Sequence, residues 1–228
     1  FGYKGWPAFL DDLAEHYTVY APLHPGFLDA DGIDTIDDLL ELVLYHQDLL
    51  DGLMLDKPHV VGHYFGAMIA AEMSTICSHR TGKLVLAAPA GLWLDENPGV
   101  DYNATPHNEI RDILFAEPGS HIANSLLPEP RSDEELGLQI IERVQSLSTV
   151  GKFLWPIPEK GLLRRARRIR NETLIIVGLH DKIVPFAYGD VLASEIANAS
   201  VHIMGKSGHM LNIEEPHEFS RLIIEFLG

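Results

Sequence analysis

The 228-residue sequence predicts an α/β fold, with a doubly wound, mostly parallel sheet flanked by helices. Three observations carry this. Continuous apolar runs at Lys83-Leu-Val-Leu-Ala-Ala88 and Thr173-Leu-Ile-Ile-Val-Gly178 have the composition of buried strands, and Val60-Val61 is a short β-branched run. Helical patterns lie between these runs, so strand and helix alternate. A tight glycine turn, Gly62-His63-Tyr64-Phe65-Gly66, joins one run directly to the next helix. The length suffices for one domain with a sizeable core, with room for an inserted subdomain.

Composition excludes several classes. With 46% apolar and 22% charged residues, the chain is an ordinary globular protein, neither disordered nor fibrous. A formal charge of −16 argues against nucleic acid, whose phosphates need clustered cations, and mildly repels anions at long range. No run approaches the ~18 apolar residues of a membrane span. The single cysteine, Cys77, has no internal partner for a disulfide, so we expect a reducing, cytoplasmic setting. On its helix Cys77 reads as packed rather than reactive.

In chain order, Trp6-Pro7 to His16 predicts a first helix with Trp6, Phe9, Leu10 and Leu13 on one face. Thr18-Val-Tyr-Ala-Pro22 predicts a strand that opens into a Pro-Gly turn at Leu23-His24-Pro25-Gly26-Phe27. His24 is a candidate for lining a pocket. A loop histidine bonded to backbone is its commoner explanation. Asp34 is a good N-cap for a helix to about Leu53, with Ile36, Leu39, Leu40, Val43, Leu50 and Leu53 inward and Asp37 and Asp38 facing the dipole.

After the glycine turn, Phe65, Met68, Ile69 and Ile76 recur at helical spacing. Past Trp93 the alternation stops. Residues 95–158 are punctuated by Pro98, Pro106, Pro118, Pro128, Pro130 and Pro156 and show helix-like patches without a strand pattern. Arg164, Arg165, Arg167, Arg168 and Arg170 look like a nucleic-acid or membrane patch in isolation, but against −16 they read as the exposed side of a helix. The chain closes on a helix started by Pro216, with Phe219, Leu222, Ile223 and Phe226 covering the sheet. No metal-ligand spacing or phosphate loop emerges despite 12 histidines.

Strand, Gly-x-x-x-Gly turn and helix resemble the nucleophile elbow of the α/β-hydrolases, whose middle residue projects into the active site from a strained turn. Two later segments give the resemblance its specificity. The run from Thr173 leads into Leu-His-Asp-Lys-Ile-Val-Pro185 and presents Asp181. Ser200-Val-His-Ile-Met-Gly-Lys-Ser-Gly-His-Met210 presents Gly208-His209. Elbow, then acid, then histidine is that superfamily's order. From about Trp6 to the C-terminus the chain resembles the α/β-hydrolase superfamily, most of all its esterase and carbon–carbon hydrolase branches.

The resemblance implies an α/β-hydrolase fold with a helical cap: a core of residues 1–94 and 159–228, and a cap over 95–158. It implies His209 as the base and Asp181 as the acid that orients it, with Tyr64 at the nucleophile position. One oxyanion-hole donor is expected from the Phe65 amide and another from the loop at Gly2. His63, Trp93, Phe115, Phe153 and Trp155 are candidate substrate contacts, although scattered aromatics are more often core. The partner expected is a small-molecule substrate, with neither nucleic acid nor membrane, no metal and no cofactor. A homodimer is admitted. Phe1-Gly2-Tyr3-Lys4-Gly5-Trp6 resembles the glycine-rich loop after the superfamily's third strand, so we expect the sequence to begin inside a longer chain, the N-terminal strands being absent from it.

Tyrosine at position 64 leaves three readings open. The phenol is a nucleophile activated by His209, though at a pKa of about 10 only ~0.1% ionises at neutral pH. Alternatively, His209 and Asp181 move a proton while Tyr64 orients substrate, as in a lyase or a cofactor-free oxygenase. In the third, the scaffold is non-catalytic and Tyr64 plugs a ligand-binding pocket. The leading expectation is a hydrolase for a small, largely apolar ester, amide or C–C bond substrate.

Overall fold

A computed structural model describes residues 5–155 and 159–228. Its centre is a four-stranded parallel sheet in the order β1 (Val60–His63), β2 (Leu84–Ala87), β3 (Thr173–Gly178), β4 (Ala199–Met204). Val60 pairs with Leu84, Leu84 with Thr173 and Thr173 with Ala199, so the four strands start in step. β2 and β3 are buried along their whole length, which is why they read as unbroken apolar runs.

Helices take the outer positions. α1 is Ala8–Ala14 and α2 is Leu39–Gly52; α3 (Phe65–Cys77) packs on β1 and β2 and against α2. Between β2 and β3 lie α4 (Ile110–Leu114), α5 (His121–Leu126), the long α6 (Asp133–Leu154) and α7 (Leu162–Ala166), with no strand among the described residues there. α8 (Ala187–Glu195) covers β3 and β4. The chain ends with α9 (Leu211–Glu214) and α10 (Pro216–Leu227), the latter packed on α1. Pro216 stands at the start of α10, where its missing N–H costs nothing. Phe219, Leu222 and Ile223 turn inward, and Phe219 meets Phe9 edge to face at 5.3 Å.

Several local expectations are corrected. Residues 18–22 form no strand: Tyr20 is 51% exposed and no described strand lies alongside, so the segment has no ladder to join. The first helix starts at Ala8 and leaves Trp6 exposed. Asp34 does not cap the second helix. It lies in a short 3₁₀ turn, and the cap is Asp38, whose carboxylate accepts from Glu41 N at 2.9 Å while the Glu41 carboxylate returns to Asp37 N. Leu40 and Ile76 face solvent, and Leu42 takes the inward place.

The arginine-rich helix ends at Ala166. Arg164, Arg167, Arg168 and Arg170 are exposed as expected, but Arg165 reaches back to the buried Glu72 on α3 with a two-pronged bond of 2.8 and 2.6 Å.

Candidate active site

The turn after β1 forces Tyr64 to φ 51°, ψ −108°, outside the relaxed regions for a side chain with a Cβ. Backbone bonds hold it there. Tyr64 N donates to Ala87 O at 2.9 Å, and the Tyr64 carbonyl accepts from both Met68 N and Ala90 N at 3.1 Å. Gly62 is required for the same reason: a Cβ on it would run into the backbone of Gly66 and Ala67. Phe65 is the first residue of α3, so its amide has no partner within the helix.

Asp181 follows β3 in a loop tied by Asp181 N to Gly178 O at 3.2 Å and His180 N to Ser207 O at 3.0 Å. One carboxylate oxygen accepts from the amides of Ile183 (2.8 Å) and Val184 (2.9 Å). The other accepts from His209 Nδ1 at 2.9 Å. Both residues are buried. With Nδ1 carrying the proton, Nε2 of the neutral ring is the basic nitrogen. The β3 and β4 loops approach so closely that a Cβ on Gly178 would strike the carbonyls of Ser207 and Gly208.

Carboxylates that the sequence reading passed over clamp the histidine loop. Glu214 accepts from Gly208 N and Ala116 N, both at 2.8 Å, and Glu215 accepts from Ser207 Oγ at 2.6 Å. Burial pushes the Glu214 carboxyl above the usual carboxylate range. Their proximity in sequence to His209 was the only available signal.

Tyr64 meets His209 as a ring, edge to face with centroids 4.8 Å apart, and not through a hydrogen bond. Burial, then the charges of Asp181 and Asp101, push its phenol well above the ordinary tyrosine range. The hydroxyl therefore stays protonated and is a donor.

His63 lies behind His209. Its ring donates from Nε2 to the His209 carbonyl at 2.8 Å, and burial, with His209 next to it, pushes its pKa down to about 3.

Of the remaining expected contacts, only Trp93 joins Tyr64 in a cleft, which also takes in Leu92, Val100, Asp101, Tyr102 and Tyr188. Its volume is about 30 Å³. Phe153 instead stacks on Phe65 at 5.7 Å, beside His24, and Phe115 is buried. Trp155 is 51% exposed. Gly2 lies outside the described residues. His24 bonds backbone at Pro25 O, 2.7 Å, as a loop histidine does. A wider surface depression of about 440 Å³ between α1 and α10 shares no residue with the cleft. Among the described residues no three His, Cys, Asp or Glu side chains group to hold a metal ion, and no helix is long and apolar enough to cross a membrane.

Residues 1–222 match a family model described as the alpha/beta hydrolase family. A 2-hydroxy-6-oxo-2,4-heptadienoate hydrolase of Pseudomonas putida is 27% identical over 99% of this chain and 84% of its own length. A 2-hydroxy-6-oxo-6-phenylhexa-2,4-dienoate hydrolase of Burkholderia cepacia is 26% identical over 100% of this chain and 84% of its own. Among solved structures, a meta-cleavage product hydrolase from Pseudomonas fluorescens IP01 superposes with a TM-score of 0.75 at 26% identity, covering 96% of this chain and 82% of that one.

Proposed function

We propose that this chain, which belongs to the alpha/beta hydrolase family, hydrolyses a small, largely apolar ester, amide or ketone-activated C–C bond, using His209 and Asp181 as its base and a neutral Tyr64 as a hydrogen-bond donor. The observation that carries the reading is the 2.9 Å bond from His209 Nδ1 to an Asp181 carboxylate already fixed by two amides. A merely structural histidine has no need of so costly a buried acid.

In this reading His209 Nε2 takes a proton from water as the water oxygen attacks the substrate carbonyl. Negative charge develops on the carbonyl oxygen, where the Phe65 amide and the Tyr64 hydroxyl donate to it. The imidazolium, stabilised by Asp181, then passes its proton to the departing alcohol, amine or carbanion. No oxidant or metal enters the balance. The raised Tyr64 pKa supports the donor role over a phenolate nucleophile. Relatives named as hydroxy-oxo-dienoate hydrolases support the C–C arm. The division into a core of 1–94 and 159–228 and a cap of 95–158 belongs to the same proposal, supported by the helices α4 to α6.

One observation favours a second reading. A cleft of about 30 Å³ is far below the ~300–1,000 Å³ of ordinary ligand pockets, as a Tyr64 plug in a non-catalytic relative would give. A p-nitrophenyl ester series, followed by nitrophenol release and intact mass, separates the readings. The proposal expects turnover by the parent without an acyl adduct, a drop of about 10²-fold or more in His209→Ala, and a smaller one in Tyr64→Phe. An acyl-Tyr64 adduct would establish covalent catalysis. A parent that is inert while Tyr64→Ser turns over would establish the plug.

A further inference from the structure

Three consecutive residues tie the backbone at His209 to distant parts of the chain. Gly208 N donates to Glu214 Oε2 at 2.8 Å, the His209 carbonyl accepts from His63 Nε2 at 2.8 Å, and Met210 N donates to Leu114 O at 3.1 Å. Two of these bonds lead to one short stretch, because Glu214 Oε1 accepts from Ala116 N, also at 2.8 Å. Leu114 ends α4 and Phe115 is buried, so residues 114–116 form a packed strut beside the histidine loop. No side chain fits between Gly208 and that strut.

The bridge depends on Glu214 being a carboxylate. Its two oxygens each face an N–H group, and an ionised carboxyl offers acceptors on both sides and no donor. A carboxamide of the same size turns an N–H towards one of the two amides and loses that bond. Burial opposes the ionised form, the Ala116 and Gly208 amides favour it, and the charges of Asp181 and Glu215 oppose it again. A partly buried charge is a costly choice where packing alone is needed. Glu215 differs, since its bond comes from the Ser207 hydroxyl at 2.6 Å and a carboxamide oxygen accepts that equally well.

We propose that Glu214 is a positioning residue for His209, bridging the backbone just before the histidine to the 114–116 strut. This rests on the reading of His209 as the base. Asp181 holds the imidazole at Nδ1, and the bridge holds it from the backbone end. A ring held at one end swings, and a displacement of about 1 Å costs a reaction about 10²-fold. Glu214 acts through Gly208, not on the reacting atoms.

NMR of the protein labelled with nitrogen-15 histidine, beside p-nitrophenyl ester turnover, tests it. The ring nitrogen signals of His209 report its bond to Asp181. Glu214→Gln is expected to shift or broaden them and to lower kcat at least about tenfold, with KM changed by less than about twofold. Glu215→Gln removes the same charge and keeps its acceptor, so its effect on both readouts is expected to be several-fold smaller. Glu214→Asp keeps the charge but is one methylene too short to span both amides. It is expected to behave as Glu214→Gln does, and it decides the matter where the glutamine variant does not fold. Parent-like signals and kcat in a folded Glu214 variant overturn the proposal, even where the melting temperature falls. An equal effect from Glu215→Gln overturns it as well, because lost charge then explains the change. Shifted His209 signals in a protein whose parent turns over no ester sink the hydrolase reading and leave the positioning role standing. Turnover that survives Glu214→Gln with unshifted signals does the reverse.

Discussion

His63 donates its Nε2 proton to the backbone carbonyl of His209 at 2.8 Å, across 146 residues of sequence. The last residue of β1, which precedes Tyr64, is thus hydrogen-bonded to the loop that carries His209, so one strand end touches both. Replacing His63 by Phe keeps the bulk and leaves a buried carbonyl without its donor, a loss of about 1–3 kcal/mol. Chemical denaturation is expected to show that loss, with kcat falling and KM little changed. Gln, which retains a donor, restores part of it. An unaltered kcat in a folded His63→Phe protein would remove the positioning role.

Two partly buried histidines predict sensitivity to acid. Burial pushes His46 down to about 4 and His63 to about 3, whereas each protonates near 6.5 when unfolded. Between those values the unfolded state binds more protons, so stability rises with pH there. Falling pH therefore costs stability from about 6.5 down to about 4 for His46 and on to about 3 for His63, at up to about 1.4 kcal/mol per pH unit each. Urea midpoints measured from pH 7 to 4.5 are expected to fall more steeply in the parent than in His46→Phe, because the variant lacks one of the two terms.

Gly208 has no room for a side chain. A Cβ there would lie 2.7 Å from Ala116 N and 2.9 Å from the Phe115 carbonyl carbon, both backbone atoms that cannot swing away. Gly208→Ala is expected to cost about 1–3 kcal/mol and, by shifting the next residue, His209, to lower ester turnover at least tenfold where the protein is still folded. Gly205→Ala, which meets nothing within 4 Å, is the control and should change neither.

Arg165 neutralises Glu72, which is only 2% exposed. Arg165→Met strands that carboxylate. A fully buried pair would lose about 3–5 kcal/mol, but Arg165 remains 37% exposed and water screens part of the effect, so about 2 kcal/mol is expected. Arg165→Met combined with Glu72→Leu should recover much of it in a thermal melt. No recovery in the double variant would mean that the cost lies in packing.

The frame of the site was legible because its signals are local. Strands β2 and β3 are buried on both faces and show as unbroken apolar runs, and the Gly62–Gly66 turn is dictated by a strained φ at Tyr64 and a close approach at Gly62. Asp181 and His209 follow the glycine turn in that order in the sequence, and their side chains meet at 2.9 Å. Local signals also misled. Thr18–Pro22 has the composition of a strand without a ladder partner, and Asp34, which has the residue type of a cap, lies in a 3₁₀ turn while Asp38 caps the helix.

The sequence by itself determined the buried strands β2 and β3, the glycine turn at Tyr64 and the chain order of Tyr64, Asp181 and His209. Only the tertiary structure decided that His63 holds the His209 carbonyl, that Glu214 clamps Gly208, that Tyr64 meets His209 through its ring, and that Asp101 fronts the cleft. The reason is physical. Backbone propensity and apolar periodicity act over a few residues, whereas these relationships join side chains from distant segments, fixed by how the loops at one end of the sheet pack.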